Sequence, residues 1–208
     1  MENLKNTNEY ERLINKINED IKKELSEKRY NHSLGVMKKA EELARIYGED
    51  IVKSKLVGLA HDIGKELSRE EKLKYVKENN IEIDEIEKIN VGLLHAKIGA
   101  DICKKRYGFD EEMQDAIKYH TTGNKNMCML SKILFVADKI EENRNYKDEQ
   151  RMKVLEETRK LAIENIDKAL LYLIDESLIY TIQKKELIHP NSILSRNYII
   201  ISNFYNVI

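Results

Sequence analysis

Only one proline, Pro190, occurs in 208 residues, and only eight glycines accompany it, so almost nothing in this chain interrupts an α-helix. Between those few breakers, apolar residues return at intervals of three and four, the spacing that puts them on one helical face. Leu13, Ile14, Ile17 and Ile21 form one such stripe. Leu34, Val36, Met37, Ala40, Leu43, Ala44 and Tyr47 form a second, which ends at Gly48. The chain is therefore expected to be all-α.

The remaining signals divide it into elements. Asp50 predicts the N-cap of a helix that runs to about Asp62 and stops near Gly64, and Ser68 with Glu71 three residues on fits a capping box before Leu73 and Val76. Asn79-Asn80 breaks that helix. A further helix is predicted from about Val91 to Tyr107, closing at Gly108, and another opens at Asp110 with Met113, Ala116 and Ile117 on one face. Leu130, Ile133, Leu134 and Ala137 then lead to Asp138. Beyond Arg144 the period continues through Leu161, Ile166, Leu170, Leu173, Ile174, Leu178 and Ile182, as one long helix or two. These last segments are too apolar to stand free in water, and no repeat or low-complexity linker separates them from the rest. One domain over residues 1–208 is expected, with a core at about 28–144 and helices of 145–208 packed on it. His189, just before Pro190 near a helix end, reads as structural.

Charge narrows the choice of partners. Lys and Arg number 36 against 37 Asp and Glu, for a net charge of -1, so no overall basic field invites nucleic acid or an anionic membrane. An anionic ligand has to be met by local cations. Cys103 and Cys128 lack CxxC spacing, which predicts free thiols rather than a disulfide framework or thiolate metal site. With neither a signal-peptide pattern nor the 18 to 20 apolar residues of a membrane span, a cytoplasmic location is the expectation.

Against that background, five segments each bring a histidine or aspartate beside small or apolar residues: His32, His61-Asp62, His95, His120 and Asp138. Singly, each has an ordinary explanation. His32 can be a cap or surface residue, His95 a satisfied core histidine, Asp138 a partner of Lys139 or Lys132, and Lys65 a cation compensating a helix C-terminus. Together they offer imidazole nitrogen and carboxylate oxygen without thiolate, a donor set suited to Fe, Mn, Co or Ni.

Placed in order, Lys28-Arg29-Tyr30-Asn31-His32-Ser33-Leu34, Ala60-His61-Asp62-Ile63-Gly64-Lys65, His95-Ala96-Lys97-Ile98-Gly99-Ala100, His120-Thr121-Thr122-Gly123 and Ala137-Asp138-Lys139-Ile140-Glu141 resemble the HD-domain superfamily. Within it they are similar to the YqeK family of symmetrical diadenosine tetraphosphate hydrolases. A weaker echo follows at Ile188-His189-Pro190 and Arg196-Asn197. The resemblance implies an HD-type helical bundle with accessory N- and C-terminal helices. It further implies a first metal, iron or manganese, held by His32, His61, Asp62 and Asp138. Asp62 would bridge to a second ion at His95 and His120, unless those two histidines hydrogen-bond substrate phosphate instead. Asp62 and Lys65 are the implied catalytic residues. Arg29, His32, Lys65, His95, His120, Thr121, Thr122 and Arg144 are the implied substrate contacts. The implied reaction is attack of metal-activated water on diadenosine tetraphosphate to give two ADP, with Lys65 and Arg144 stabilising the leaving phosphate oxygen. Two alternatives stand beside it: a phosphohydrolase of another nucleotide, and a nucleotide-binding sensor without turnover. The partner is a small nucleotide rather than nucleic acid or membrane, with a homodimer as the assembly to test. One departure from the family is visible: proline often follows the glutamate matching Glu141, and here Glu142 stands there, which puts the turn carrying Arg144 in question.

Overall fold

The computed structural model describes residues 2–205, so Met1 and the last three residues of the 1–208 span lie outside the described residues. Among the described residues there is no β-strand, and the chain runs through α1 (Glu2–Glu24), α2 (Glu27–Tyr47), α3 (Ile51–Ala60), α4 (Arg69–Glu78), α5 (Glu85–Ile89), α6 (Leu94–Tyr107), α7 (Glu111–Tyr119), α8 (Met129–Ile140), α9 (Glu149–Glu164), α10 (Ile166–Gln183) and α11 (Pro190–Ile200). The all-α expectation holds. None of these helices is long and apolar enough to cross a membrane.

Local chemistry accounts for most boundaries. Asp50 accepts hydrogen bonds from the N–H groups of Val52 and Lys53, and Asp110 accepts one from Met113, so each satisfies donors that a first helical turn leaves free. Ser68 and Glu71 form the predicted capping box. Gly48 and Gly108 stop α2 and α6 in the left-handed region, at φ 68° and 69°, where a Cβ would be strained. The open choice after Arg144 resolves into two helices, because Asn165 caps the start of α10 through Asp167 and Lys168 while its own N–H donates to Leu161 of α9.

Several elements were not predicted from the sequence, α11 and the π-helical turn Ile201–Tyr205 after it among them. Helix α5 is only five residues long, and a 3₁₀ turn, Val91–Leu93, precedes α6 where the period alone suggested continuous α-helix. The His189-Pro190 pair begins a helix rather than following the end of one: Pro190 occupies its first turn, and His189 Nδ1 accepts the N–H of Asn191.

A single cluster of buried apolar side chains runs through the molecule. It takes Ile17 and Ile21 from α1, Leu43 from α2, Leu56 and Leu59 from α3, Ile98 from α6, Ile117 from α7, Ile133 and Leu134 from α8, Leu155 from α9, Leu170 and Ile174 from α10, and Ile199 from α11. The C-terminal helices thus share the core that carries the histidines. Polar ties add to it: Tyr47 donates to the carbonyl of Ala162 at 2.7 Å, and Arg159 donates to the carbonyls of Ile140 and Glu141 at 3.0 and 2.9 Å.

Candidate metal centre

Packing of α2, α3, α6, α7 and α8 brings the five separated segments to one place. His32 lies in α2, His61-Asp62 follows α3, His95 sits in the first turn of α6, His120 caps the end of α7, and Asp138 lies near the end of α8. All six side chains are buried, none more than 8% exposed. Rings of His32 and His61 lie 5.3 Å apart, those of His61 and His120 5.1 Å, and those of His120 and His95 5.0 Å. Helix α3 ends at Ala60, two residues before the predicted limit. The bonds from Ile63 to Ala60 and from Lys65 to Asp62 tighten the chain into i to i+3 turns, and these set the directions of His61, Asp62 and Lys65.

Three histidines are oriented in the same way. Nδ1 of His61 lies 2.8 Å from the carbonyl of Gly58, that of His95 2.6 Å from Gly92, and that of His120 2.6 Å from Ile117. A carbonyl can only accept, so each Nδ1 carries the proton and each Nε2 presents a lone pair. Those lone pairs face other acceptors, and that of His95 also the Lys65 ammonium at 3.0 Å. Nε2 of His95 is 3.2 Å from Nε2 of His120, and the two lie 3.2 and 3.6 Å from Asp62 Oδ1. His61 Nε2 is 3.7 Å from both Asp62 Oδ2 and Asp138 Oδ1. His61 Nε2 and Asp62 Oδ1 are buried with no hydrogen-bond partner. Converging, proton-free donors of this kind are costly in a protein interior unless a cation sits among them.

The donor set fits a transition metal. His32, His61 and Asp62, then His61, His120 and Asp138, then Asp62, His95 and His120 each bring three ligand atoms within 4.8 Å of one another. His61, Asp62 and His120 belong to two of these groups each. The anions are kept ready: burial would raise the pKa of Asp62, but His61, His120, His95 and Lys65 hold it well below the carboxylate range. Asp138 is likewise held low, by Lys139 and the histidines. Burial pushes His61 down to about 4 and lowers His95 and His120, which keeps all three neutral.

Cations rim this buried cluster. Arg29 reaches Asp62 Oδ2 at 3.1 Å, Lys65 lies 3.0 Å from His95 Nε2 and 3.6 Å from Asp62, Lys139 reaches Asp138 at 2.6 Å, and Arg144 donates to the other oxygen of Asp138 at 2.9 Å. Their side chains are 37, 28, 36 and 27% exposed, against 3 and 6% for the two aspartates, so an anion arriving from solvent meets them first. Asp138 does pair with Lys139, whereas Lys132 turns away to Asp167. Lys72 braces the approach, donating to the carbonyl of Lys65 at 2.9 Å.

Thr121 and Thr122 stand apart from the cluster. They line a cavity of about 180 Å³ with Lys97, Lys118, His189 and Asn191, and the Thr122 hydroxyl donates to the carbonyl of Gly123. The turn after α8 closes with Glu142 where the family often has proline. Glu141 sits at φ -54°, ψ 158°, the extended region that a following proline would impose, and Arg144 N–H closes the turn on its carbonyl. The sequence reading missed Glu141 itself: 1% exposed, it lies 3.2 Å from His32 Nδ1. Its place at the end of the Ala137-Asp138-Lys139-Ile140-Glu141 segment, as the match to a family glutamate, was the available signal.

Comparison with known proteins bears on this geometry. A model of the HD domain matches residues 29–143. The symmetrical bis(5'-nucleosyl)-tetraphosphatase of Halalkalibacterium halodurans is 38% identical over 134 residues, 64% of this chain and 71% of that relative. Its counterpart in Bacillus subtilis is 35% identical over 136 residues, 65% and 73% of the two chains. Among solved structures, an HD superfamily hydrolase from Clostridium acetobutylicum, described as involved in NAD metabolism, superposes with a TM-score of 0.85 at 39% identity, covering 91% of this chain and 97% of that one.

Proposed function

This chain belongs to the HD-domain family of metal-dependent phosphohydrolases, and on that premise we propose that it hydrolyses diadenosine tetraphosphate symmetrically to two molecules of ADP. The observation that carries the metal half of this reading is the convergence of three histidines, each locked with its lone pair inward, on the Asp62 carboxylate: His95 and His120 face its unpartnered oxygen, and His61, itself unpartnered at Nε2, faces the other. The substrate half rests on relatives named for that activity.

His32, His61, Asp62 and Asp138 would hold a first ion, iron or manganese, and Asp62, His95 and His120 a second. Bound there, a divalent metal supplies Lewis acidity, polarising a phosphoryl oxygen and lowering the pKa of water toward about 7. The chain's own contribution is charge and position. Arg29, Lys65, Lys139 and Arg144 bind and orient the polyphosphate at the mouth, and Lys65 and Arg144 stabilise charge building on the leaving phosphate oxygen. Lys65 acts from a partly buried position, where a positive charge works against a lower dielectric than in water. Thr121 and Thr122 then serve a more distant part of the substrate, from the wall of the neighbouring cavity. We place the reaction in the cytoplasm, in keeping with two free thiols, and the whole span 1–208 acts as one unit because its C-terminal helices share the core. Sedimentation velocity will read whether that unit pairs as a homodimer.

One assay tests the reaction. Protein supplied with Fe(II) or Mn(II) is offered diadenosine tetraphosphate, its shorter and longer relatives and simple nucleotides, and products are separated by chromatography. ADP as sole product of diadenosine tetraphosphate is expected. AMP with ATP overturns symmetric cleavage, faster turnover of a simple nucleotide makes the chain a phosphohydrolase of that nucleotide, and binding without turnover makes it a sensor.

A further inference from the structure

We infer that Glu141 is a positioning residue for the metal centre, fixing the tautomer and direction of His32 through a buried carboxylate to histidine hydrogen bond; the inference rests on the metal reading above. His32 differs from the other three histidines. His61 and His120 sit at helix ends, where the carbonyls of the last turn lie outside the regular i to i+4 ladder and are open to a bond from Nδ1, even where, as at Ile117, a long 3.4 Å backbone bond shares the oxygen. His32 lies inside α2, where the carbonyls of the preceding turn are taken up by the helix. Its Nδ1 needs an acceptor from elsewhere, and Glu141, 109 positions along the chain, supplies it at 3.2 Å.

Everything around Glu141 holds that carboxylate in place. Its second oxygen accepts the N–H of Asn143 at 2.7 Å, its carbonyl accepts from Arg144 N–H at 3.0 Å and Arg159 Nη2 at 2.9 Å, and only 1% of it is exposed. Space for it comes from Gly35, one helical turn from His32: a Cβ at Gly35 would fall 2.2 Å from Glu141 Oε2 and 3.0 Å from Asn143 Nδ2. Gly35 is thus a small residue in mid-helix, where glycine is disfavoured, and the carboxylate accounts for it. With Nδ1 committed to Glu141, Nε2 of His32 is the nitrogen left to face Asp138, at 3.0 Å, and the shared ion. A carboxylate behind a ligating imidazole also raises its basicity, more than a neutral carbonyl does.

The test measures Mn(II) affinity by competition with a chromophoric chelator, alongside denaturant unfolding of the metal-free protein. Glu141→Gln keeps the shape and an acceptor for Asn143 but loses the charge, and should weaken Mn(II) binding about 10- to 100-fold while leaving the metal-free unfolding midpoint near wild type. Gly35→Ala, which displaces the carboxylate without removing it, should weaken binding in the same sense, and the double variant should be no weaker than the worse single one. Unchanged affinity in Glu141→Gln overturns the inference, as does a loss confined to the metal-free midpoint, or fully additive losses in the double variant. If Glu141→Gln does not fold, Gly35→Ala decides alone: wild-type affinity overturns the inference, and weakened binding sustains it. A wild-type protein that binds no Mn(II) would instead sink the metal reading itself.

Discussion

At the scale of single residues, Asp62 does the most and is the most exposed to a decisive substitution. One of its oxygens faces His95 and His120, the other faces Arg29 and His61, and it belongs to two of the three ligand groups. Asp62→Ala is expected to abolish both bound metal and hydrolysis while leaving the helical circular-dichroism signal close to wild type; an active variant without metal would defeat the mechanism. Acid offers a second test. In the metal-free protein His61 protonates only near pH 4, and His95 and His120 also titrate below their ordinary 6.5, because burial disfavours their charged forms. The unfolded chain takes up those protons from about pH 6.5, so folding loses stability as pH falls from 6.5 toward 4. His32 runs the other way: burial would lower its pKa, but Asp138 and Glu141 outweigh that and raise it, giving stability that is present below 6.5 and lost as pH rises through the raised value. Three depressed histidines against one raised predict a lower urea midpoint at pH 5 than at pH 7 in a chelating buffer. A midpoint that rises on acidification would show that the three rings are not held neutral.

Helices were legible in this sequence where a side chain of the chain itself closes their ends. Asp50, Ser68 with Glu71, Asp110, Gly48 and Gly108 all act within a few residues of where they stand, and the structure uses each as predicted. Helix α5 and the 3₁₀ turn before α6 were not legible, because five and three residues are too few for a period to show. The start of α11 was not predicted, since a proline marks a helix's first turn as well as its surroundings. Of the site, the types and order of His32, His61-Asp62, His95, His120 and Asp138 were visible, but the role of Glu141 was not, although the residue stands in the same segment as Asp138: that role depends on a contact with a residue far away in sequence. Contact between elements also fixes the next prediction. A Cβ on Gly58 would meet the backbone of α2 at 2.9 Å from Met37 Cα and 3.1 Å from its nitrogen, atoms that cannot rotate away. Gly58→Ala should therefore push α2 and α3 apart and cost about 1–3 kcal/mol in urea unfolding. The carbonyl of Gly58 also orients His61, so metal affinity should fall with it. Wild-type stability and affinity in that variant would mean the two helices can separate freely.

For the molecule as a whole, the ligands span residues 32 to 138 and come from five segments attached to one apolar core, so an ion among them acts as a cross-link between elements that only packing otherwise holds. Binding to the folded state alone then stabilises every element at once, since no unfolded chain gathers these segments. At a free Mn(II) concentration a hundred times its dissociation constant, the gain is about 2.7 kcal/mol. For a chain of this length that corresponds to a rise of roughly 5–10 °C in the unfolding temperature. Calorimetry with and without Mn(II) should show the rise as a shift of a single cooperative transition, because the C-terminal helices share the core that carries the ligands. Asp62→Ala should show none of it. A metal-induced shift limited to one of two separate transitions would place α9 to α11 outside the unit that the metal stabilises, and the ion would then be joining only the segments between α2 and α8.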